Sequence, residues 1–201
     1  TGAGQVVGLV GDAGVGKSRL LIEYRNQLPA GEFAYLEGQC FQYGGNTIYL
    51  PVLTIVKSYF DIRDDDSEDT IKTKLREGTN LLDPSFKDTV PPLQLLLSLS
   101  VDDQSFIELE PKLKRERIFD SVRNILIKES EKQPIVIAVD DLHWIDKTSE
   151  EFLDHLINSL TNARILLLLI YRPEYNHQWG GKSYYTQIRL DQLGEASSIE
   201  L

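Results

Sequence analysis

Short apolar runs alternate with segments of helical periodicity along the chain. Three runs, at 6–10, 135–139 and 165–171, are rich in valine, isoleucine and leucine. Apolar residues at neighbouring positions indicate strands buried on both faces, as in a parallel sheet covered by helices. A further strand is predicted at 33–41, and a short one at 188–190. Strands separated by helices predict right-handed crossovers and an α/β fold with a mostly parallel sheet.

Helical spacing of apolar residues predicts helices between these strands. They cover 17–28, a short segment opening at Pro51, then 71–82, 91–99 and about 112–131. Leu81 is expected on the apolar face of the third helix, and Leu113 on that of the last. Thr148 and Glu151 have the spacing of a capping box, which predicts a further helix opening there. Its expected inward positions are Phe152, Leu153, Leu156, Ile157 and Leu160.

Residues 61–131 are interpreted as a helical insertion packed against the sheet rather than as a separate domain. The insertion opens at 61–70 with six acidic residues and one basic residue. This pattern predicts a solvated loop followed by the acidic first turn of a helix, where the helix dipole favours negative charge. The alternative, a cation site, lacks the spacing of an EF-hand. A second acidic stretch, 101–110, is expected to be a connection.

The amino-acid composition argues against some classes of binding partner. The 201 residues contain 21 Lys and Arg against 31 Asp and Glu, for a net charge of −10. So acidic a surface argues against sequence-independent binding of nucleic acid or anionic lipid, and neither is expected as a direct partner. The single cysteine excludes an internal disulfide framework and fits a reducing cytoplasm. Because the chain contains no methionine, we expect it to be a segment of a larger multidomain protein.

A glycine-rich turn after the first strand carries the strongest chemical signal. Gly11-Asp12-Ala13-Gly14-Val15-Gly16-Lys17-Ser18 matches the phosphate-loop pattern G-x-x-x-x-G-K-[ST] at every required position. With this composition, roughly 0.6% of chains of this length would contain a match by chance. The alternative is a glycine-rich strand-to-helix turn with no ligand, but the buried strand before it and the helix after it favour the phosphate loop.

The residue types of this turn suit a nucleoside triphosphate. Glycines let successive backbone N–H groups point at phosphate oxygens, and the following helix adds its positive end. Lys17 is expected to reach the β- and γ-phosphates, and the Ser18 hydroxyl is expected to be a Mg²⁺ ligand. The residues expected to contact the nucleotide are Gly11, Asp12, Ala13, Gly14, Val15, Gly16, Lys17, Ser18 and Arg19.

Two carboxylates follow the buried strand at 135–139. In an open α/β sheet, ligands sit at the carboxyl ends of the strands, so Asp140 is the expected Mg²⁺ partner. Asp141 is expected to polarise the attacking water, although the two roles could be exchanged. The alternative is a pair of solvated acids that cap the next helix. Arg172, at the tip of the next strand, is expected to stabilise charge at the γ-phosphate, or else to be an ordinary surface arginine.

Four other residues carry weaker signals. Cys40 follows a predicted strand and is expected to be a small buried thiol. His155 is expected at a helix surface rather than in a catalytic role. His143 with Trp144 is expected to fix a loop by packing, and the alternative is a contact with water or with another subunit. No set of His, Cys, Asp and Glu residues has the spacing of a zinc site, and no local signature indicates a Ser-His-Asp triad.

Three motifs, at 11–21, 139–146 and 171–175, occur in this order in a known group. They resemble the ATPase domain of STAND signalling proteins, a branch close to the AAA+ ATPases. Segment 172–190 is most similar to members fused to bacterial adenylate or guanylate cyclases. The resemblance implies a P-loop NTPase three-layer αβα sandwich with strand order 5-1-4-3-2. It also implies ATP with Mg²⁺ and slow hydrolysis used as a switch, with Lys17, Ser18, Asp140, Asp141 and Arg172 on the matching site positions.

The same resemblance sets expectations about partners. Family members carry a Gly-Arg-x-x-Glu element before the first strand and a helical lid with a winged helix after the core. Neither lies in these 201 residues, so weak ATPase activity is expected of this chain. The expected partners are ATP or ADP, other domains of the same polypeptide (a cyclase or kinase effector, helical repeats) and a nucleotide-dependent oligomer. Two alternatives are a nucleotide-gated scaffold without meaningful turnover and a P-loop kinase, for which no acceptor-binding lid signature is visible.

Overall fold

The computed structural model describes residues 2–29, 31–42 and 48–191. Within them, five strands form one sheet, and each pair of neighbouring strands is parallel. The strands are β1 Gln5–Val10, β2 Ala34–Gln39, β3 Ile135–Asp140, β4 Ile165–Tyr171 and β5 Tyr185–Arg189. Their order is β2-β3-β4-β1-β5, which read from the other edge is the expected 5-1-4-3-2. The predicted α/β P-loop NTPase fold is confirmed.

Seven α-helices lie in the described part of the chain. They are α1 Lys17–Gln27, α2 Leu50–Tyr59, α3 Glu68–Leu82, α4 Val90–Leu96, α5 Gln104–Ile107, α6 Pro111–Lys132 and α7 Lys147–Ile157. The central strands β3 and β4 have apolar side chains on both faces because helices cover both. Ile137 and Leu167 face α6 and α7, whereas Ala138 and Leu168 face Leu21 of α1. The sheet is thus the middle layer of three.

The insertion between β2 and β3 packs its helices into the larger of the two cores. Leu75 of α3, Leu93 of α4 and Leu126 of α6 are all buried in it. Ser67 caps α3 by accepting a hydrogen bond from the Thr70 N–H, and the acids Glu68 and Asp69 occupy the first turn. The predicted solvated loop and acidic helix start are therefore confirmed.

Two apolar-face predictions were wrong. Leu81 is 79% exposed, because the buried side of α3 is formed by Lys72, Leu75, Thr79 and Leu82. Leu82 takes the inward position in the last turn, and Leu81 lies about 100° around the helix from it. Leu113 is 37% exposed, because α6 buries side chains only from Ile118 onward, after its first two turns.

The start of α7 also differs from the prediction. Asp146, not Thr148, is the N-cap, and its Oδ1 accepts hydrogen bonds of 3.0 Å from the N–H groups of Thr148 and Ser149. Aspartate is an equally strong N-cap, and here it precedes the predicted one. Glu151 pairs with Arg115 of α6 at 3.3 Å instead of closing a capping box. Leu160 lies past the helix, in the 3₁₀ turn Leu160–Asn162, and is buried there.

Two smaller features complete the fold. The predicted connection at 101–110 contains the single-turn helix α5, which Asp103 caps through the N–H of Phe106. Cys40 is buried as expected, and its burial raises the pKa of the thiol to about 12. In the described ranges, no helix combines the length and the apolar character needed to cross a membrane.

Candidate nucleotide-binding site

The sheet register brings the three predicted site segments to one edge. Val10, the last residue of β1, is paired with Tyr171 of β4, so Gly11 and Arg172 leave the sheet side by side. In β3, Val139 is paired with Leu169 of β4, which places Asp140 at the same carboxyl edge. Parallel strands therefore place the phosphate loop, the acidic pair and Arg172 together, as the sequence predicted.

The loop at 11–16 requires glycine at several positions. Gly14 and Gly16 have φ of 81° and 97°, a backbone region that favours glycine. At Gly11 a Cβ would lie 2.7 Å from the Leu190 carbonyl oxygen and 2.9 Å from Val15 Cγ1. The loop can hold its tight curve only because these positions lack a side chain.

Helix α1 begins directly after this loop. Gly16 is its N-cap, no side chain caps the first turn, and no acidic residue lies in that turn. The first N–H groups of a helix have no partner within it and carry partial positive charge. The start of α1 therefore provides donors for an anion at the mouth of the loop.

Lys17 is held inside the loop. Its Nζ donates hydrogen bonds of 2.7 Å to the carbonyl oxygens of Gly11 and Asp12, and the residue is 8% exposed. An ammonium group has three N–H donors, so the third is left for a ligand. Around Lys17, the loop residues Asp12, Ala13, Gly14 and Gly16 are exposed, as are Ser18 and Arg19, while Val15 is half-buried.

Ser18 contacts the predicted metal carboxylate. Its hydroxyl donates a hydrogen bond of 2.9 Å to Asp140 Oδ2, and Asp140 Oδ1 accepts one of 2.8 Å from the Asp141 N–H. A hydroxyl oxygen and a carboxylate oxygen are ligands that Mg²⁺ prefers, and magnesium sites commonly combine one or two protein oxygens with phosphate oxygens. The donor set at Ser18 and Asp140 thus fits Mg²⁺ beside a nucleotide in the loop.

Asp141 begins the turn that follows β3. It has φ of 56°, an uncommon value for a residue with a side chain, and its carboxylate is 55% exposed. The 3₁₀ turn Leu142–Trp144 comes next and places His143 near the carboxylate, with Nε2 3.9 Å from Asp141 Oδ1. The His143 side chain is 5% exposed, and among the described residues neither ring nitrogen has a hydrogen-bond partner.

Arg172 lies over the same turn. Its guanidinium carbon is 6.0 Å from the centre of the Trp144 ring, and its Nη1 is 3.9 Å from Glu174 Oε1. Burial, followed by the positive charge of Arg172, lowers the pKa of His143 below its ordinary 6.5. Asp141, His143 and Arg172 are thus electrostatically coupled at the tips of β3 and β4.

The family profile of an AAA ATPase domain matches residues 1–170 of this chain. The chain belongs to the AAA ATPase domain family. An uncharacterized protein of Rhizobium meliloti (strain 1021) is 30% identical over 194 residues. That match covers 96% of this chain, but the chain spans only 18% of the relative's length.

Solved structures similar to this AAA ATPase domain include Drosophila ORC bound to DNA. That match is 20% identical over 97% of this chain and 39% of the other, with a TM-score of 0.43. Another is EssC (ATPases 2 and 3) from Geobacillus thermodenitrificans, 14% identical over 87% and 29% of the two chains, with a TM-score of 0.35. With TM-scores below 0.5, these likenesses support no inference about function.

The sequence assigned no chemical role to His143. The sequence showed the motif that contains His143. It did not show that the side chain is buried, because that burial depends on how the turn after β3 packs against β4. The His155 side chain is 33% exposed at the surface of α7, and its Nε2 contacts Asp120 Oδ1 at 3.0 Å and Arg123 Nη1 at 2.6 Å. These contacts join α7 to α6.

Proposed function

We propose that this AAA ATPase domain binds ATP with Mg²⁺ and hydrolyses it slowly, as a regulatory switch in a multidomain signalling protein. The observation that carries the proposal is the hydrogen bond of 2.9 Å between Ser18 and Asp140, next to Lys17 in the phosphate loop. A hydroxyl, a carboxylate and an ammonium at one strand edge are the groups that bind a Mg²⁺-bound triphosphate in P-loop enzymes.

Binding is assigned to the loop and to the start of α1. The N–H groups of Gly11 and Val15 are donated to the carbonyl oxygens of Tyr171 and Asp12, so phosphate oxygens are assigned to the other N–H groups of the loop and of the first turn of α1. Lys17 would donate its third N–H to the terminal phosphates. Arg19, exposed at the same end of α1, adds positive charge there. Ser18 and Asp140 hold Mg²⁺, which when bound neutralises charge on the phosphate oxygens.

Turnover is assigned to Asp141 and Arg172. The exposed carboxylate of Asp141 is free to accept a hydrogen bond from water and to orient it. Arg172, beside it at the tip of β4, stabilises negative charge that develops on the phosphate. The alternative, in which Asp140 orients water and Asp141 holds the metal, is disfavoured because Ser18 bonds to Asp140.

The wider role is proposed from the resemblance to STAND proteins. Nucleotide state in this core would be passed to other domains of the same polypeptide, such as a cyclase or kinase effector and helical repeats, in the cytoplasm. A nucleotide-dependent oligomer is part of the proposal, whereas nucleic acid and membrane contacts of this segment are not. The net charge of −10 disfavours binding to nucleic acid or to an anionic membrane.

A second candidate function is a nucleotide-gated scaffold that binds ATP or ADP without meaningful turnover. One observation favours it: the gap of 3.9 Å between Asp141 Oδ1 and His143 Nε2 leaves the carboxylate without a fixed direction. In this reading, the loop binds nucleotide but the hydrolytic groups stay unaligned.

The first experiment measures binding of fluorescent ATP with and without Mg²⁺. Lys17→Ala is expected to weaken binding about 10- to 100-fold, since a hydrogen bond to a charged group contributes about 1.5–3 kcal/mol. Lys112→Ala is the matched control, because Lys112 is 81% exposed on α6. Equal binding by the wild type and Lys17→Ala would refute nucleotide binding at this loop.

A second experiment separates the ATPase from the scaffold. Single-turnover release of phosphate is followed in the wild type and in Asp141→Asn, which keeps the side-chain shape but removes the charge. Release that is faster than the uncatalysed rate and falls in the variant supports hydrolysis. Release at the uncatalysed rate in both proteins supports the scaffold.

A further inference from the structure

His143 is a buried polar side chain that forms no hydrogen bond with the part of the chain that the structure describes. The side chain is 5% exposed, and both ring nitrogens are buried with no partner in the described ranges 2–29, 31–42 and 48–191. Buried polar groups in folded proteins are nearly always bonded, because losing water without gaining a partner destabilises the fold. An apolar side chain of similar size would fill the same space without that cost. Packing alone therefore does not explain why a histidine stands at this position.

The surroundings of the ring favour its neutral form, because they lower the pKa of His143. Burial is the main cause that lowers the pKa of His143, and the positive charges of Arg172 and Lys17 act in the same direction. The negative charges of Asp141 and Glu174 oppose them. A neutral imidazole carries one N–H donor and one acceptor nitrogen, so it can donate to a carboxylate without holding a second proton.

Asp141 is the acceptor within reach. Its Oδ1 lies 3.9 Å from His143 Nε2, about 1 Å beyond hydrogen-bond length. The carboxylate is 55% exposed and free to rotate, whereas the ring is enclosed. We therefore assign the movement that closes the gap to the exposed Asp141 side chain, with the ring as the fixed partner.

We propose that His143 is the positioning residue for Asp141, donating Nε2–H to its carboxylate when Mg²⁺-ATP is bound. The bond holds one carboxylate oxygen and leaves the other directed at water. No proton is transferred between the two residues. This inference rests on the proposed function, because it assigns His143 to the same hydrolytic site.

The first test observes the ring directly and needs no turnover. In ¹⁵N-labelled protein, long-range ¹H–¹⁵N correlation spectra report which ring nitrogen carries the proton, and His143→Leu identifies the signal. On adding Mg²⁺ with the non-hydrolysable analogue AMP-PNP, we expect a protonated Nε2 whose proton signal moves downfield and exchanges more slowly with water. Asp141→Ala is expected to abolish that change, and Glu174→Gln, the matched carboxylate control, is expected to keep it.

The second test measures the effect on turnover. His143→Leu is expected to lower kcat roughly 10- to 100-fold, the usual effect of removing a residue that orients a reacting group, while the Kd for Mg²⁺-ATP changes less than about twofold. His143→Gln is expected to recover part of the loss, because its amide N–H reaches the position of Nε2. In an Asp141→Asn background, His143→Leu is expected to have no further effect on kcat.

The outcomes separate this inference from the proposed function. An unchanged Nε2 signal on binding AMP-PNP overturns the role of His143 even if the protein hydrolyses ATP. Equal losses in His143→Leu and His143→Gln, or a loss that persists in Asp141→Asn, also overturn it, since both indicate a packing role. A protein that binds AMP-PNP but shows no turnover refutes hydrolysis alone, and the spectra still decide whether His143 holds Asp141.

Discussion

Ser18 and Asp140, 122 positions apart in the chain, are joined by a hydrogen bond of 2.9 Å from the serine hydroxyl to Oδ2 of the carboxylate. The bond connects the first turn of α1 to the end of β3 across the intervening strand β4. It brings together two oxygen groups that the sequence assigned separately to Mg²⁺. A Mg²⁺ ion bound here would replace this hydrogen bond. Because the ion would also bind phosphate oxygens of the nucleotide, metal binding and nucleotide binding should be linked.

The first prediction concerns this linkage. ATP at about 100 times its Kd should raise the melting temperature by about 5–10 °C if Mg²⁺ is present, through preferential binding to the folded state. Ser18→Ala and Asp140→Asn should each remove the part of the shift that depends on Mg²⁺. The double variant should lose no more than either single variant, because both act through one ion.

The matched control for the first prediction is Ser105→Ala. Ser105 donates a hydrogen bond of 2.5 Å to Asp103 in the insertion, so its removal breaks a similar pair outside the site. This variant should retain the full Mg²⁺-dependent shift. A shift that survives in Ser18→Ala and Asp140→Asn would contradict the assignment of the metal.

The site could be predicted where its determinants are local. The phosphate loop is defined by glycines at fixed spacing and by Lys17, and a buried strand places Asp140 at the edge of the sheet. Nearby features depended on packing between distant segments, and local patterns did not show them. Glu151 pairs with Arg115 rather than closing a capping box, and the His143 ring nitrogens are buried without a partner among the described residues.

The second prediction concerns the charges around His143. Arg172→Gln should raise the pKa of His143, because the arginine is the charge that lowers it most after burial. Asp141→Asn should lower the pKa of His143 below its wild-type value, since the charge of the aspartate raises it. An NMR titration of the ring in the absence of nucleotide and metal measures both changes. Shifts of the same sign in the two variants would contradict the arrangement of these side chains.

The third prediction is a pH dependence of stability that arises from His177. Its Nε2 contacts the hydroxyls of Tyr171 at 2.9 Å and Tyr185 at 3.0 Å, and its Nδ1 accepts a bond of 3.2 Å from the Trp179 N–H. Burial lowers the pKa of His177 below 6.5, opposed by the charge of Glu150. Between the folded pKa and 6.5, the unfolded chain binds a proton that the folded chain does not.

Stability should therefore fall as pH drops below about 6.5, and the contribution of neutral His177 should be fully present above that value. Urea unfolding at pH 7.5 and 5.5 should show a smaller pH dependence in His177→Gln than in the wild type. Asn176→Ala, which changes a neighbouring side chain that does not titrate, should keep the wild-type dependence. Identical dependence in His177→Gln and the wild type would rule out this origin.

The fourth prediction concerns Gly8 in β1. A Cβ at this position would lie 2.3 Å from the Tyr185 hydroxyl and 2.7 Å from the Tyr171 hydroxyl, which are bonded to each other at 2.6 Å. Gly8→Ala should separate these hydroxyls and destabilise the protein by about 1–3 kcal/mol, the usual cost of overpacking. Gly180→Ala, where a Cβ meets no atom within 4 Å, should change stability by less than about 0.5 kcal/mol. Urea denaturation measures both, and equal effects would contradict the close contact at Gly8.

The last prediction uses two leucines of α3 that the apolar pattern treated alike. Leu75 is fully buried against α4 and α6, while Leu81 is 79% exposed. Leu75→Ala should reduce the free energy of unfolding by about 2–5 kcal/mol, because it removes buried methyl groups and leaves a cavity. Leu81→Ala should change it by less than about 0.5 kcal/mol, since that side chain already contacts water. Urea denaturation of both variants measures the difference. Similar losses would show that Leu81 is covered in solution and that the apolar pattern had assigned it correctly.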